Sequence, residues 1–220
     1  MKQDASGSRA GQSEESAVRN ATSPVVSVPV AALYVDPRGP YPKLPGVDAW
    51  DESRDARAYS GPWPVVAHPP CGPWGRLRHM CTKQDPSCGL RAVEQVRAFG
   101  GVLEHPEYST LWDRCGLPKP GELPDAFGGR TVRVEQVAWG HSCRKATWLY
   151  YVGVTLSGLR SGGTPTHCVS RDARRARRNR YTLKRTGTRA NMLTPPAFAE
   201  WLVSLARSVS GIRNGSPCRD

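Results

Sequence analysis

Three polar residues in this sequence each follow a short apolar run: Asp36, Cys71 and Glu104. A cysteine thiolate is a strong nucleophile, and a carboxyl group can pass a proton to a reacting group. In open α/β sheets ligands bind at the carboxyl ends of the strands, so we expect these side chains to face one crevice. The three residues could therefore meet at one site, and Cys71, constrained by the two prolines before it, is a candidate nucleophile. The alternative is a packing role for Cys71, because free cysteine is among the most buried residue types.

The apolar runs before these residues predict a unit of two strands and a helix. Residues 65–67 and 101–103 indicate two short buried strands, after which Cys71 and Glu104 follow. Between them, apolar residues recur at helical spacing at Leu90, Val93, Val96 and Phe99. A strand, a helix and a strand in this order predict a parallel pair of strands.

Further elements complete a predicted α/β fold. Residues 25–35 indicate a strand that leads into Asp36, and residues 131–138 and 147–154 indicate an antiparallel pair at the sheet edge. Residues 195–209 indicate a final helix, with Thr194 as its N-cap. We therefore predict a Rossmann-like, mostly parallel sheet with an antiparallel edge hairpin and a C-terminal helix.

Composition divides the chain into segments. Residues 1–24 are polar and without apolar period, which predicts a disordered tail. Residues 25–160 form the predicted core domain, and 161–192 form a predicted basic linker. The helix within 193–210 is expected to pack on the core, and 211–220 to be a frayed end.

The charge balance points to a polyanionic partner. The chain has 31 Lys and Arg against 19 Asp and Glu, a formal net charge of +12. Such a balance favours nucleic acid as the partner, and a merely soluble basic surface is the alternative. Residues 171–189 contain nine Lys or Arg and one acid, which suits phosphate contacts, although a solvated linker has the same composition. The predicted contacts in this run are Arg174, Arg175, Arg177, Arg178, Lys184 and Arg185.

The cysteines and the apolar stretches bear on compartment and metal content. Seven cysteines without regular spacing do not suggest a disulfide framework, and no segment resembles a signal peptide or a membrane helix. These features predict a cytoplasmic protein that does not span a membrane. We predict no metal site, because no Cys-x-x-Cys occurs. The alternative is structural zinc held by Cys71 with His68, His79, Cys81 and Cys88.

Two further histidines lie where predicted strands end. His105 follows Glu104 directly, and His141 lies in the turn of the predicted edge hairpin. Each could carry a proton in a cleft, or orient a loop as a neutral, hydrogen-bonded ring.

Two motifs resemble those of the cytosine-C5 DNA methyltransferases. Residues 65–71, Val-Val-Ala-His-Pro-Pro-Cys, resemble their Pro-Cys segment, and residues 102–106, Val-Leu-Glu-His-Pro, resemble their later Glu-Asn-Val segment. The resemblance implies that Cys71 attacks C6 of a cytosine while Glu104 holds N3. It also implies S-adenosylmethionine as the cofactor and, for duplex DNA, a flipped base.

Other parts of the chain match this family less closely. Gln136, Arg144 and Lys145 stand where the family has a Gln-x-Arg-x-Arg strand that grips the base and the backbone, at a different spacing. A generic basic hairpin is the alternative. Gly72 replaces the glutamine that usually follows Pro-Cys.

The segment that usually cradles the cofactor also differs. Four prolines within residues 37–45 exclude the helix that follows the usual Phe-x-Gly-x-Gly loop. The remaining candidates for cofactor binding are Asp36 and Asp51, and Asp51 could equally be a surface carboxylate.

Four motifs in fixed order also resemble a group of small phage and prophage proteins. They are the His-Pro-Pro-Cys turn, the Gly-Gly-Val-Leu-Glu-His-Pro strand, the Trp-Gly-His…Lys-Ala-Thr-Trp hairpin and a Thr-Pro-Pro-x-Phe-Ala helix, within residues 30–205. The resemblance implies phage ancestry and a place in the host cytoplasm.

Three functions are therefore expected, in this order. The first is an enzyme that modifies C5 of cytosine in DNA or in a pyrimidine nucleotide. The second is a non-catalytic DNA-binding protein on a scaffold derived from a methyltransferase. The third is a small-ligand or zinc-binding module in which Cys71 is structural.

Overall fold

The computed structural model describes residues 28–81, 85–169, 184–186 and 192–210, which contain strands and helices in an α/β arrangement. The strands are β1 (Val30–Leu33), β2 (Val47–Trp50), β3 (Val65–Ala67), β4 (Gly101–Pro106), β5 (Arg130–Glu135), β6 (Ala146–Val152), β7 (His167–Val169) and β8 (Lys184–Thr186). The helices are α1 (Ser87–Phe99), α2 (Leu111–Cys115) and α3 (Pro196–Arg207).

Six strands form one sheet in the order β2-β1-β3-β4-β6-β5. Its first four strands are parallel neighbours. Because α1 connects β3 to β4, the predicted unit of two parallel strands and a helix is confirmed. Strand β2 is not indicated by the sequence pattern; it pairs with β1 from Val30↔Val47 to Leu33↔Trp50. The fold is the predicted Rossmann-like α/β arrangement.

The antiparallel pair is also confirmed, with one change of position. Strand β6 runs antiparallel to both β4 and β5 and lies between them. Of the two strands in the predicted hairpin, β5 alone lies at an edge of the sheet. Pairing with β6 extends β4 through Glu104 and His105 to Pro106, beyond the predicted end at residue 103. Strand β5 ends earlier than predicted, at Glu135, because residues Gln136–Trp139 form a turn of 3₁₀ helix.

Alternate residues of the central strands face two separate apolar layers, as a strand period of two requires. Leu33, Ala67 and Leu103 belong to the layer that contains residues of α1 and α2. Ala32, Val66 and Val102 belong to the layer that contains residues of α3. Both faces of the central strands are therefore covered, as is usual for parallel sheets.

The C-terminal helix packs on the sheet through Phe198, Leu202 and Leu205, which are 0–2% exposed. These side chains share an apolar cluster with Val66 and Val102 of the sheet. The N-cap is Pro195 and not the predicted Thr194, and no side chain caps the first turn. The prolines at the helix start explain the shift, since a proline at the first helical position has no N–H to be capped.

The predicted basic linker contains a structural element that was not foreseen. Strands β7 and β8 pair in parallel as a second, two-stranded sheet. Backbone N–H groups of Thr166 and His167 donate to the carbonyl of Ser142, which ties this segment to the hairpin before β6. The predicted tail 1–24 and the predicted end 211–220 lie outside the described residues. Within the described ranges, no helix has the length and apolar character needed to cross a membrane.

Candidate active site

Cys71 and Glu104 come from neighbouring parallel strands. The register of β3 and β4 pairs Ala67 with Leu103. His68 follows Ala67 directly, and Glu104 follows Leu103, so the two residues lie next to the last pair of this register. Cys71 follows three residues later and is exposed, whereas Glu104 is buried. Cys71 therefore lies in the loop after β3, and Glu104 lies within the neighbouring parallel strand β4, just beyond the part of β4 that pairs with β3.

The loop that carries Cys71 is held by backbone hydrogen bonds. The N–H groups of Trp74 and Gly75 donate to the Cys71 carbonyl at 3.2 and 2.7 Å. The carbonyl of Trp74 in turn accepts from the backbone N–H of Thr110 at 3.0 Å and from its hydroxyl at 3.1 Å. The segment after Cys71 is thus tied to the segment after β4, which fixes the position of the cysteine relative to Glu104.

The Glu104 carboxylate accepts hydrogen bonds at both oxygens. Oε1 accepts from the Gln136 amide at 2.9 Å and lies 3.4 Å from the Thr147 hydroxyl. Oε2 lies 2.9 Å from His68 Nδ1. The Gln136 amide also donates to the Thr147 hydroxyl at 3.0 Å. A buried carboxylate needs such partners, because its desolvation is costly without them.

The same chain of contacts continues through His68 to the proline-rich loop. His68 Nε2 lies 2.6 Å from the hydroxyl of Tyr41, whose side chain is 2% exposed. Tyr41 comes from the 3₁₀ turn Tyr41–Lys43. Four segments of the chain therefore meet around one buried carboxylate.

The surroundings of Glu104 favour its charged form. Burial by itself would raise the pKa of Glu104, but the positive charge of Lys145 and the hydrogen bond and charge of His68 lower it, with a smaller effect of His105. The resulting pKa is about 2. Glu104 is therefore a carboxylate at neutral pH, and an acid only when a proton is brought to it.

Cys71 has the opposite tendency. Desolvation raises the pKa of its thiol, and the negative charge of Glu104 raises it further, while Lys145 acts against both. The residue is nevertheless exposed, so a substrate can reach it. The thiol is thus protonated in the free protein at neutral pH, and its reactivity depends on the positive charge nearby.

His105 is buried without exposure, next to Glu104 in β4. No described group lies in hydrogen-bonding geometry with either ring nitrogen of His105. The backbone of Pro70 nevertheless favours the protonated, charged form of the ring and acts to raise its pKa. Burial outweighs that contribution and the charge of Glu104, and it lowers the pKa of His105 to about 4. His105 is a neutral packing residue at pH 7, and not the proton carrier that the sequence allowed.

The two shifted groups predict a stability loss in acid. His105 binds its proton less readily when folded, so stability falls as pH drops from about 6.5 towards 4. Glu104 adds a further loss from about 4.5 towards 2. His105→Gln should remove the upper part of this slope, about 3 kcal/mol of unfolding free energy. Urea unfolding at several pH values measures it, with His79→Gln as the control; a variant that keeps the wild-type slope would contradict the prediction.

A cleft of about 1030 Å³ opens at the carboxyl ends of β1 and β2. In the strand order, β2 and β3 lie on opposite sides of β1. The carboxyl end of β1 is therefore the topological switch point, where ligands bind in such sheets. Pro70, next to Cys71, lines the cleft. Its acidic lining residues are Asp36, Asp51, Glu52, Asp55 and Asp85.

Two lining residues have a left-handed backbone that side chains rarely adopt, Tyr34 at φ 60° and Asp55 at φ 45°. Such residues cost free energy and cluster at functional sites. Arg57 forms ion pairs with Asp55 and Asp85 across this wall, at 2.8 and 2.6 Å. The cleft therefore has a defined, mainly acidic wall.

The predicted cofactor residues Asp36 and Asp51 both line this cleft. The Asp51 carboxylate accepts from the Ser53 hydroxyl at 2.6 Å and from the Arg54 N–H at 3.2 Å. These bonds lower the pKa of Asp51. The structure thus brings both residues to one cavity beside Cys71.

The predicted nucleic-acid residues have different positions. Gln136 is 0% exposed and holds Glu104, so it faces the interior and not a bound strand. Arg144 is exposed, and Lys145 is half-buried with its charge acting on Cys71 and Glu104. Lys184 and Arg185 lie in β8. The other predicted contacts, Arg174, Arg175, Arg177 and Arg178, lie outside the described residues.

The zinc alternative finds no support in the described ranges, where no three His, Cys, Asp or Glu side chains are grouped to hold a metal ion. His68 instead contacts Glu104 and Tyr41.

From the sequence, the only role indicated for His68 is that of an alternative zinc ligand, and no role is indicated for Tyr41. The role of His68 could have been found by aligning the ends of the two predicted strands, which places it opposite Glu104. Tyr41 gave no signal, because its contact joins segments 27 residues apart through an irregular loop.

Comparisons with known proteins add no family. No protein-family model, no curated protein and no solved structure matches this chain.

Proposed function

We propose that this protein modifies C5 of a cytosine ring, in DNA or in a pyrimidine nucleotide, as a methyltransferase-like enzyme. The observation that carries the proposal is the proximity of Cys71, in the loop after β3, to Glu104, in the adjacent parallel strand β4: the charge of Glu104 is close enough to raise the pKa of the thiol. An exposed thiol beside a buried carboxylate suits covalent catalysis on a ring that must also be bound at a nitrogen.

Cys71 would add to C6 as a thiolate. The electron pair of the C5–C6 double bond then moves towards C4, and the C4–N3 pair is taken up at N3 with a proton. This addition makes C5 nucleophilic. Once C5 has been substituted, loss of its proton to solvent re-forms the C5–C6 double bond and expels Cys71 as a thiolate. Glu104 would hold N3 during the addition, in keeping with the resemblance of residues 102–106 to the family motif.

Lys145 would support both groups. Its charge lowers the pKa of Cys71 and of Glu104, so it stabilises the thiolate and the carboxylate together. This is electrostatic stabilisation by a group already in place before the reaction.

The cleft fits S-adenosylmethionine in size and charge. Ligand pockets typically measure about 300–1,000 Å³, and an acidic wall suits the cofactor's ammonium and sulfonium groups and its ribose hydroxyls. Asp36 and Asp51 would hold it, and when bound it would supply a methyl group. The proline-rich loop replaces the usual glycine-rich cradle.

DNA is the partner that the charge supports. The net charge is +12, and the exposed residues Arg76, Arg78 and Arg144 lie in the segments that follow Cys71 and precede β6. Phosphate contacts of this kind position a strand without reading its sequence. In duplex DNA the target base must be flipped out, because C6 is inaccessible in the stack.

The test is covalent trapping. Random-sequence duplex DNA carrying 5-fluorocytosine is incubated with the protein and S-adenosylmethionine, and a denaturing gel and peptide mass spectrometry locate any adduct. We expect an adduct at Cys71, because fluorine prevents the loss of the C5 proton that frees the enzyme. No adduct with DNA or with 5-fluoro-deoxycytidine monophosphate would argue against the enzyme.

A second candidate is a DNA-binding protein that keeps this scaffold without catalysis. It is favoured by the hydrogen bonds that occupy both oxygens of Glu104. Retarded migration of DNA in a native gel, with neither trapping nor binding of S-adenosylmethionine by calorimetry, would support it.

A further inference from the structure

The proposed reaction needs a proton at N3, and Glu104 does not hold one. Its pKa of about 2 makes it a carboxylate at neutral pH. Its oxygens already accept from Gln136 and lie within bonding distance of His68. The proton must therefore come from a neighbour of Glu104 and not from Glu104 itself.

Of the described side chains within hydrogen-bonding distance of Glu104, only His68 has a ring that can both take up and give up a proton. Gln136 and Thr147 have no titratable proton near neutral pH. His68 Nδ1 lies 2.9 Å from Oε2, and the His68 and Glu104 side chains are 11% and 9% exposed. A proton exchanged between them therefore travels over one short bond that is largely shielded from water.

Tyr41 lets the imidazole hold either one proton or two. A hydroxyl can donate to a bare Nε2, and it can also accept from a protonated one. The hydroxyl lies 2.6 Å from Nε2, and burial raises the pKa of Tyr41 far enough to keep the phenol neutral. The ring can therefore gain or lose a proton without leaving a buried polar group unpaired.

We propose that His68 is the proton carrier of this site, passing a proton through Glu104 to N3 as Cys71 bonds to C6, with Tyr41 as its positioning partner. This inference rests on the proposed function. The proton leaves Nδ1 for Oε2 and then passes to N3, while the thiolate pair forms the S–C6 bond. When the S–C6 bond breaks, the proton returns along the same path.

The charged groups around this path set its pH dependence. Tyr41 and Glu104 contact the ring directly, His105 follows Glu104 in β4, and the charges of Lys145 and Cys71 act from the segment before β6 and the loop after β3. We expect the rate to rise with pH as Cys71 ionises and to fall as the His68–Glu104 pair loses its proton. The pKa that describes the fall of the rate is a property of the His68–Glu104 pair and not of either group alone, because the two groups are coupled.

The matched variants are His68→Asn and His68→Gln. An asparagine amide places N–H near the position of Nδ1, so it keeps the bond to Glu104 but carries no exchangeable acid proton. A glutamine amide instead reaches towards Tyr41. Release of tritium from DNA containing [5-³H]cytosine, without any donor, requires thiol addition at C6, protonation of C5 from water and loss of the tritium, so it reports the addition without methyl transfer. We expect His68→Asn to lower this rate at least about 100-fold and to abolish the alkaline fall, as general acid catalysis implies.

Tyr41→Phe should keep the alkaline limb but shift it, because one partner of the ring is removed. In the free wild-type protein, ¹⁵N NMR of the imidazole should show His68 passing from one ring proton to two between alkaline and acid pH. Unfolding curves establish that each variant is folded.

The outcomes separate the two proposals. If the wild-type protein releases no tritium, the proposed function fails and this inference fails with it. If it releases tritium and folded His68→Asn keeps both the rate and the pH profile, only the inference is overturned. A His68 ring that stays singly protonated from acid to alkaline pH also overturns it.

Discussion

Cys71→Ser is expected to form no covalent adduct with 5-fluorocytosine DNA and to lose tritium release from [5-³H]cytosine by at least about a thousandfold, the scale seen when a nucleophile is removed. The reason is ionisation: a thiol with an ordinary pKa of about 8.5 yields some thiolate near neutral pH, and a serine hydroxyl yields essentially none. The exchange keeps the size of the side chain, and Cys71 is exposed, so folding should be unaffected.

The control is Cys115→Ser, at the end of α2 and far along the chain from the proposed site. It should trap as the wild type does. Glu104→Gln should slow trapping more than it weakens DNA binding, because the N3 contact strengthens as the thiol adds. Folded Cys71→Ser with wild-type tritium release would make Cys71 a packing or surface residue and leave the motif resemblance without a chemical meaning.

The central part of the site could be predicted because it depends on local pattern. The runs at residues 65–67 and 101–103, with a helical period between them, require a parallel pair, and a parallel pair brings its carboxyl ends together. The position of Cys71 beside Glu104 follows from those two facts. The convergence of Asp36 and Asp51 follows in the same way from β1 and β2, although β2 itself was not foreseen.

What failed to be predicted depends on contacts between distant segments. The family resemblance predicts Gln136 as a contact to nucleic acid within a strand over 131–138, but β5 ends at Glu135 and the 3₁₀ turn directs the amide inward to Glu104. Tyr41 lies in a loop without periodicity, where no pattern indicates which side chain is buried. Strands β7 and β8 have three residues each. Strands this short, among mostly basic residues, show no alternation of apolar and polar side chains that would predict them.

The second large effect concerns the backbone that holds Cys71 and Glu104 together. Gly101, the first residue of β4, pairs with Val65 and has a φ of 115°. A Cβ at this position would lie 1.9 Å from the Val65 carbonyl oxygen and 2.7 Å from the Val65 nitrogen. These are atoms of the neighbouring strand's backbone, which cannot rotate away as a side chain would.

Gly101→Ala should therefore lower the free energy of unfolding by about 2–5 kcal/mol. The positive φ alone costs about 1–2 kcal/mol for a residue with a Cβ, and the collision adds an overpacking cost of about 1–3 kcal/mol. If β4 moves away from β3 to relieve the collision, His68 and Glu104 separate as well, so trapping should fall even in the fraction that remains folded.

The matched control is Gly121→Ala, which has a similarly positive φ of 90° but no atom within 4 Å of the new Cβ. It should cost only the conformational part, about 1–2 kcal/mol, and leave trapping unchanged. Urea unfolding of the two variants beside the wild type measures the difference, which isolates the contact between β3 and β4. If Gly101→Ala were no less stable than Gly121→Ala, β3 and β4 would not approach each other as closely as this collision implies. The fixed spacing of His68 and Glu104, on which the proposed chemistry depends, would then lose its structural basis.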